Sequence, residues 1–331
     1  MERQPRNKLL HPLSSDTGEK MKRILHTILK ILAIGVLTFS LLLLFARFHW
    51  ILDILTHFRL PYVVCFLLLL LVLLKTKLYP YSIVVLFCLL LQFIPLSRHY
   101  TPKFFNPQGT GPLLKVMSFN LWIDNKDFQA IENLVSNENP DIVCFQEYNS
   151  LHARGLTELQ KVYPYSKAFP ASYKGLLLLS KLPIEESHIH HKDYRIASIY
   201  MTAVLNWNGQ KISLLNAHPR PPLTKQYSNN LHNTFDRIQR FVENQKHPTI
   251  VVGDFNCTAY SPSFKRLGSK LIDTSRGQGY TSSWQRFNLL VGIPIDQILH
   301  TKELTCVSHH IGQKSGSDHS PVIVSFQALA E

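Results

Sequence analysis

Hydrophobic and polar positions divide this chain into two regimes. Through the first hundred residues the apolar positions run almost without interruption, from Ile24 to Phe45, Pro61 to Leu74 and Leu78 to Leu96, the last two separated only by Lys75-Thr76-Lys77. A helix must present about 20 mostly apolar residues to cross a hydrocarbon core of about 30 Å, and the first and third runs meet that length. Three transmembrane helices, the second and third joined as a tight hairpin, are the simplest reading. The second run is short for a span unless it borrows residues from Ile51 to Leu60. The length of the first run, and the further runs behind it, argue against a cleaved signal peptide.

Beyond residue 112 the pattern breaks into short segments. Leu113 to Phe119 reads as a strand ending at Asn120, and Asp127 to Asn137 carries Phe128, Ile131, Leu134 and Val135 at helical spacing. Ile142 to Phe145 is a second buried strand, which makes a β-α-β start. Gly175 to Leu179 is another short apolar strand. Ile199 to Trp207 and Lys211 to Asn216 flank Asn208-Gly209, a two-residue hairpin signal that brings antiparallel pairing into the sheet. Lys225 to Asn244 reads as a helix, and Thr249 to Val252, Ile295 to Leu299 and Pro321 to Phe326 read as strands. Alternating strands and helices with hairpins among them predict mixed sheets covered by helices. The predicted organisation is a membrane anchor over 1–98, a Pro- and Gly-rich linker over 99–112 and a globular domain over 113–331.

Charge sharpens this division. Residues 1–111 hold 13 Lys and Arg against 4 Asp and Glu, and residues 112–331 hold 22 against 18, so the net +13 splits as +9 and +4. Most of the basic surplus flanks apolar runs, where it sets orientation. Arg3, Arg6, Lys8, Lys20, Lys22 and Arg23 precede the first run, and Lys75 and Lys77 lie between the second and third. The N-terminus and that turn are expected in the cytoplasm, and three crossings put the globular domain outside. A domain charge of +4 with no Lys/Arg cluster is weak ground for a nucleic-acid partner. Five scattered cysteines form neither a disulfide framework nor a zinc pattern. The pairs His190-His191 and His309-His310 read as surface loop residues.

The candidate chemistry lies at strand ends. Asn120 ends VMSFN, Glu147 ends IVCFQE, His218 ends SLLNAH, and Asp254 and Asn256 end IVVGDFN; Asp296 lies within IPIDQIL, and Asp318-His319 precede PVIVSF. Ligand sites of α/β sheets form where strands end. A hard divalent cation takes oxygen ligands, which makes Glu147 the leading ligand candidate, with Asn120 adding a neutral oxygen. His319 suits general acid or base work if a carboxylate such as Asp296 orients its ring. Arg195, Arg220 and Lys225 read as solvated surface residues, and Tyr148 and Trp122 as core or rim packing.

The ordered set FNLW (119–122), FQEY (145–148), GLLLLSKLPI (175–184), NAH (216–218), GDFN (253–256), ID (295–296) and SDH (317–319) resembles the endonuclease/exonuclease/phosphatase superfamily. The resemblance implies a four-layer α/β/β/α sandwich and Mg²⁺- or Mn²⁺-dependent hydrolysis of phosphate esters. It also implies that Asp296 and His319 act as a pair, that Asp254 positions or deprotonates the attacking water, that Asn256 and His218 bind phosphoryl oxygens, and that Asp318 lies near the metal held by Asn120 and Glu147. Either Asp254 or His319 serves as the base on this reading. Bacterial members with three N-terminal spans and an external catalytic domain share the arrangement, which makes an integral protein of the bacterial inner membrane the expected setting. A lipid-linked pyrophosphate is then one substrate option, and an envelope nuclease is the alternative.

Overall fold

The computed structural model describes residues 13–101, 109–191, 199–285 and 292–329. The N-terminal part is helical: α1 (Leu13–Leu43), α2 (Trp50–Thr56), α3 (Arg59–Lys75) and α4 (Tyr79–Leu96). Leu29 and Ala33 of α1, Phe66 and Leu73 of α3 and Val85 and Cys88 of α4 form one buried cluster. Outward, the same helices expose Ile28, Ile31, Leu68, Leu71, Ile83 and Phe87. An apolar exterior of that extent marks a surface built for an apolar environment. The stretches Thr17–Leu43 and Tyr79–His99 are long and apolar enough to cross a membrane.

The second expected span differs from its reading. Residues 50–56 do not lengthen α3; they form α2, which meets α3 at an angle of 69°. At 17 residues α3 is about 25 Å long, a little less than the hydrocarbon thickness. The bend has a local cause: Asp53 and Thr56 of α2 are buried, and Asp53 is bonded into the globular part.

The globular part holds two six-stranded mixed sheets. The strands are β1 (Thr110–Asn120), β2 (Ile142–Gln146), β3 (Tyr165–Phe169), β4 (Leu176–Ser180), β5 (Ile184–His190), β6 (Tyr200–Trp207), β7 (Gln210–Ala217), β8 (Thr249–Asp254), β9 (Ile272–Asp273), β10 (Asp296–His300), β11 (Leu304–Ile311) and β12 (Val322–Ala328). One sheet has the order β11-β12-β1-β2-β4-β3 and the other β5-β6-β7-β8-β10-β9. Helices α5 (Phe128–Glu138), α6 (Ser150–Gly155), α7 (Leu159–Val162) and α8 (Lys225–Asn244) complete the part.

Side-chain alternation along the strands builds four layers. Leu114 and Val116 of β1, Ile142 and Cys144 of β2 and Ile250 and Val252 of β8 meet between the sheets. Met117, Phe119, Val143 and Phe145 point the other way, onto Ile131, Leu134 and Val135 of α5. Leu215 and Val251 pack on Leu231, Phe235 and Ile238 of α8. The α/β/β/α sandwich is therefore the observed architecture.

Other differences follow from edges and turns. β1 begins at Thr110, inside the segment expected to be linker, with a register shift between Thr110 and Leu114 that accommodates Gly111 and Pro112; residues 102–108 lie outside the described ones. His190 lies in β5, and His309 and His310 lie in β11, so they are strand residues where loops were expected. Both strands are sheet edges, whose polar side chains hide them from a hydrophobic pattern. The Asn208-Gly209 hairpin forms as expected, with φ of 52° and 89° suited to a type I′ turn. Cys144 and Cys257 are buried small residues, and all five thiols are free.

Candidate functional site

Topology brings the polar strand ends to one place. β1 and β2 run parallel with Asn120 beside Gln146, and β7 and β8 run parallel with Ala217 beside Gly253. Their carboxyl ends therefore present Asn120, Glu147, His218 and Asp254 at one edge of the sandwich. β10 runs antiparallel to β8 and pairs Asp296 with Asp254, and β12 runs antiparallel to β1, so the residues before it, Asp318 and His319, reach the same edge. Beneath them the sheets are pinned by a polar plug: Gln146 Nε2 donates to Asn216 Oδ1 at 2.8 Å, and Asn216 Nδ2 donates to the Phe145 carbonyl at 3.2 Å. Gln146 and Asn216 were not singled out from sequence; their signal is a polar residue at a strand position buried on both faces.

Local backbone conformation aims the side chains. Glu147, Asn256 and Trp122 have φ of 57°, 49° and 60°, left-handed values that are costly for residues with a Cβ and that concentrate at functional sites. Gly253 has φ of 145°, and a Cβ there would lie 1.9 Å from the Ala217 carbonyl oxygen. Only glycine lets β8 approach β7 that closely just before Asp254.

Asp254 is the hub. Its Oδ2 accepts from Asn120 Nδ2 at 2.9 Å and faces Asn256 Nδ2 at 3.4 Å, His218 Nε2 at 3.4 Å and His319 Nε2 at 3.7 Å, while Oδ1 accepts from the Asn256 N–H at 2.8 Å. Burial alone would raise its pKa; the adjoining His319 and His218 outweigh it and hold the carboxyl below its ordinary range. His319 Nδ1 is 2.8 Å from Asp296 Oδ2. Burial works against its charge, but Asp296 and Asp254 on either side push the imidazole up to about 10. Asp296 itself is shifted upward, mainly by burial. His218 is also raised, because Asp254 and Glu147 outweigh its burial.

Glu147 Oε2 accepts from the Ile123 N–H at 2.9 Å, and Oε1 lies 3.3 Å from Asn120 Nδ2 and 3.8 Å from His218 Nε2. The Oδ1 of Asn120, expected to offer a metal an oxygen, accepts one bond, from the Trp122 N–H at 3.0 Å, and the amide Nδ2 faces Glu147 and Asp254. Asp318 Oδ2 accepts from Trp284 Nε1 at 3.2 Å, and its Oδ1 is 4.0 Å from His319 Nε2. Ser317 is a positioning residue that sequence reasoning passed over: its hydroxyl donates to the Asn120 carbonyl at 2.8 Å and accepts from the His319 N–H at 3.0 Å.

All eight predicted residues converge: Glu147, His218, Asp254, Asn256, Asp318 and His319 line a cleft of about 810 Å³, Asp296 backs His319, and Asn120 is bonded to Glu147 and Asp254. Lys174 and Arg220 line it as well, so Arg220 is a cleft residue where a solvated one was expected. Lys225 is exposed as expected, Tyr148 is packed in the core, Trp122 stands at the rim, and Arg195 lies outside the described residues.

A divalent cation fits the donor set. Glu147 and Asp318 keep 18% and 20% of their side-chain surface exposed, and their carboxylate oxygens have lone pairs beyond the bonds they accept. Asp254, Asp296 and His319 also offer ligand atoms within 4.8 Å of one another, a spacing able to hold a metal ion. There the close His319–Asp296 contact already occupies one ring nitrogen, and the imidazole would have to lose its proton.

Solved structures share this fold. D. rerio TDP2 complexed with single strand DNA product is 16% identical, with a TM-score of 0.57 over 66% of this chain and 100% of that one. The human Nocturnin catalytic domain with bound sulfate anion is 16% identical, with a TM-score of 0.53 over 67% of this chain and 96% of that one. An endonuclease/exonuclease/phosphatase family protein from Bacteroides thetaiotaomicron is 17% identical, with a TM-score of 0.53 over 68% of this chain and 100% of that one. A comparison with curated proteins found no match. The sequence profile of the endonuclease/exonuclease/phosphatase family matches residues 117–319, the span that carries every residue of the cleft's polar floor, and the chain belongs to that family.

Proposed function

We propose that this protein is a membrane-anchored, divalent-metal-dependent phosphoesterase that hydrolyses a lipid-linked phosphate or pyrophosphate by attack of an activated water. The observation that carries the reading is the convergence of six strand ends on one cleft whose far wall, Ile54 and Phe58, comes from the helical region. Glu147 and Asp318 would hold the cation, Mg²⁺ or Mn²⁺. When bound it supplies Lewis-acid neutralisation of phosphoryl charge. Asp254, an anion ringed by nitrogen donors, orients the water and accepts its proton. His218, Asn256 and His319 face the same point and donate to phosphoryl oxygens as charge develops on them. Asp296 fixes the His319 ring.

Anchoring by α1, α3 and α4 rests on their common packing and apolar exterior. If all three cross, the site lies on the side opposite the N-terminus, the outer face of a bacterial inner membrane. One feature favours an envelope nuclease instead: Trp122, Tyr173, Lys174 and Arg220 all line the cleft, and aromatic rings with cations are the parts of a single-strand stacking surface.

The test is a substrate panel with the detergent-solubilised full chain: lipid-linked pyrophosphate, phospholipid, inositol phosphate and single-stranded DNA, each with Mg²⁺ and with EDTA. Hydrolysis of a lipid-linked substrate that EDTA abolishes, and that Asp296→Asn or His319→Ala lowers by roughly 10²- to 10⁴-fold, is expected. Undiminished turnover in EDTA would sink the metal role, and preferential cleavage of DNA would replace the lipid reading with the nuclease one.

A further inference from the structure

Asp53 of α2 is 4% exposed, and no cation pairs with it among the described residues. A buried carboxylate is costly unless hydrogen-bonded. Its partners come from the globular part: the Ser261 hydroxyl donates to Oδ1 at 2.7 Å, and the Ser263 hydroxyl donates to Oδ2. One turn on, His57 Nδ1 lies 2.8 Å from Thr258 Oγ1, and the His57 carbonyl accepts from the Tyr260 hydroxyl at 2.9 Å. The loop from Cys257 to Ser263 is thus bonded to α2 and its cap at four residues. That loop is the direct continuation of Asp254-Phe255-Asn256.

A second clasp holds the same loop from the end of α4. Arg98 donates to the Ala259 carbonyl at 2.5 Å and pairs with Asp273 at 2.8 Å, and the His99 ring meets Tyr260 edge-on. The loop that follows the catalytic carboxylate therefore rests on the helical region on two sides. Between the bonded Asp53 and His57, α2 turns Ile54 to the cleft, and Phe58 follows it there. The cleft has a further apolar lining in Pro221, Pro222 and the exposed Leu223. Phe58 caps α3, whose outer face carries Leu67, Leu68 and Leu71.

We infer that α2 is a positioning and specificity element of the phosphoesterase site: Asp53 and His57 hold the loop that sets Asp254 and Asn256, and Ile54 and Phe58 receive an apolar chain attached to the scissile phosphate. The inference rests on the phosphoesterase reading and deepens it. The phosphate occupies the polar floor, and its hydrocarbon leaves between Ile54, Phe58 and Leu223 along α3. Asp53 and His57 act through the loop and touch no reacting atom. Ile54 and Phe58 touch only the chain.

The experiment compares kcat and KM of the full chain in detergent on n-alkyl diphosphates and n-alkyl p-nitrophenyl phosphates, methyl against dodecyl, below their micelle concentrations. The dodecyl-to-methyl ratio of kcat/KM in the unaltered protein should exceed about 10, and Phe58→Ala or Ile54→Ala should lower that ratio by about 10-fold through KM. Asp53→Ala, and the Ser261→Ala/Ser263→Ala pair made from the other side of the contact, should lower kcat by about 10-fold on both chain lengths with the ratio kept, and Asp53→Asn, which retains an acceptor oxygen, should restore most of it. A ratio near one, or a ratio indifferent to Phe58 and Ile54, overturns the inference while hydrolysis of both esters leaves the phosphoesterase reading standing. Unchanged kcat in Asp53→Ala and in the serine pair overturns the positioning half. Hydrolysis of neither ester in the unaltered protein overturns both readings.

Discussion

Lys174 shows how a residue with no motif acquires a role from its surroundings. It lines the cleft beside Arg220, and burial, together with that neighbouring guanidinium, pushes its ammonium down to about 8. It is charged at pH 7 and loses its proton as the pH rises through 8, so its attraction for an anionic substrate fades over that range. KM for a phosphate ester is therefore expected to rise between pH 7 and pH 9 by about 3- to 10-fold, as a single cleft charge near the surface is worth about 1 kcal/mol. Lys174→Met should remove that limb of the profile, and Arg220→Ala should move it to higher pH by relieving the repulsion. A KM flat across this range in the unaltered protein would refute the role. The carboxylates and imidazoles behave differently: Asp254, His218, Asp296 and His319 shift one another, so their protonation belongs to the cluster. Their identities were readable in the sequence. The direction in which Asn120 turns its amide was not, because it depends on the Trp122 N–H, whose position follows from a left-handed backbone two residues along.

At the scale of elements, the strand ends carry the site and their geometry carries a prediction. Gly253→Ala should destabilise the protein by at least about 2 kcal/mol, because the added Cβ meets the Ala217 carbonyl and the backbone is left-handed. Gly209→Ala offers the contrast: it has a positive φ but open space around it, and should cost about 1–2 kcal/mol. Thermal unfolding in detergent followed by circular dichroism ranks the two, and equal losses would refute the close-approach argument. β2 and β8, buried on both faces, were legible as continuous apolar runs, and α8, buried on one face, was legible as a 3.6-residue period. β5 and β11 were not, being sheet edges with polar side chains. α2 was hidden for another reason: its sequence, WILDILT, continues the apolar composition around it, and the contacts of Asp53 and His57 with the globular part set it apart from α3.

For the whole molecule, the proposed anchoring makes the side of the membrane on which the cleft works depend on the number of crossings. Packing of α3 against α4, which also packs on α1, supports three crossings, and a reporter fused after Glu331 is then expected to be active only outside the cytoplasm. A signal confined to the cytoplasm would mean that α3 turns back, leaving two crossings. In either topology the cleft adjoins the helical region, because Asp53, His57 and Arg98 are bonded to the globular part. By itself the sequence determined the two regimes, the membrane-length apolar runs and mixed sheets covered by helices, since these are written in local period and run length, while the four-layer class and the phosphate chemistry followed from the family resemblance of the polar residues that end the strands. Tertiary structure decided which of those residues meet, how Asn120 faces its neighbours, that Arg220 and Lys174 join the cleft, and that α2 forms its far wall. Those outcomes depend on strand direction and on contacts between segments some two hundred residues apart, as between Asp53 and Ser261, which no local pattern encodes.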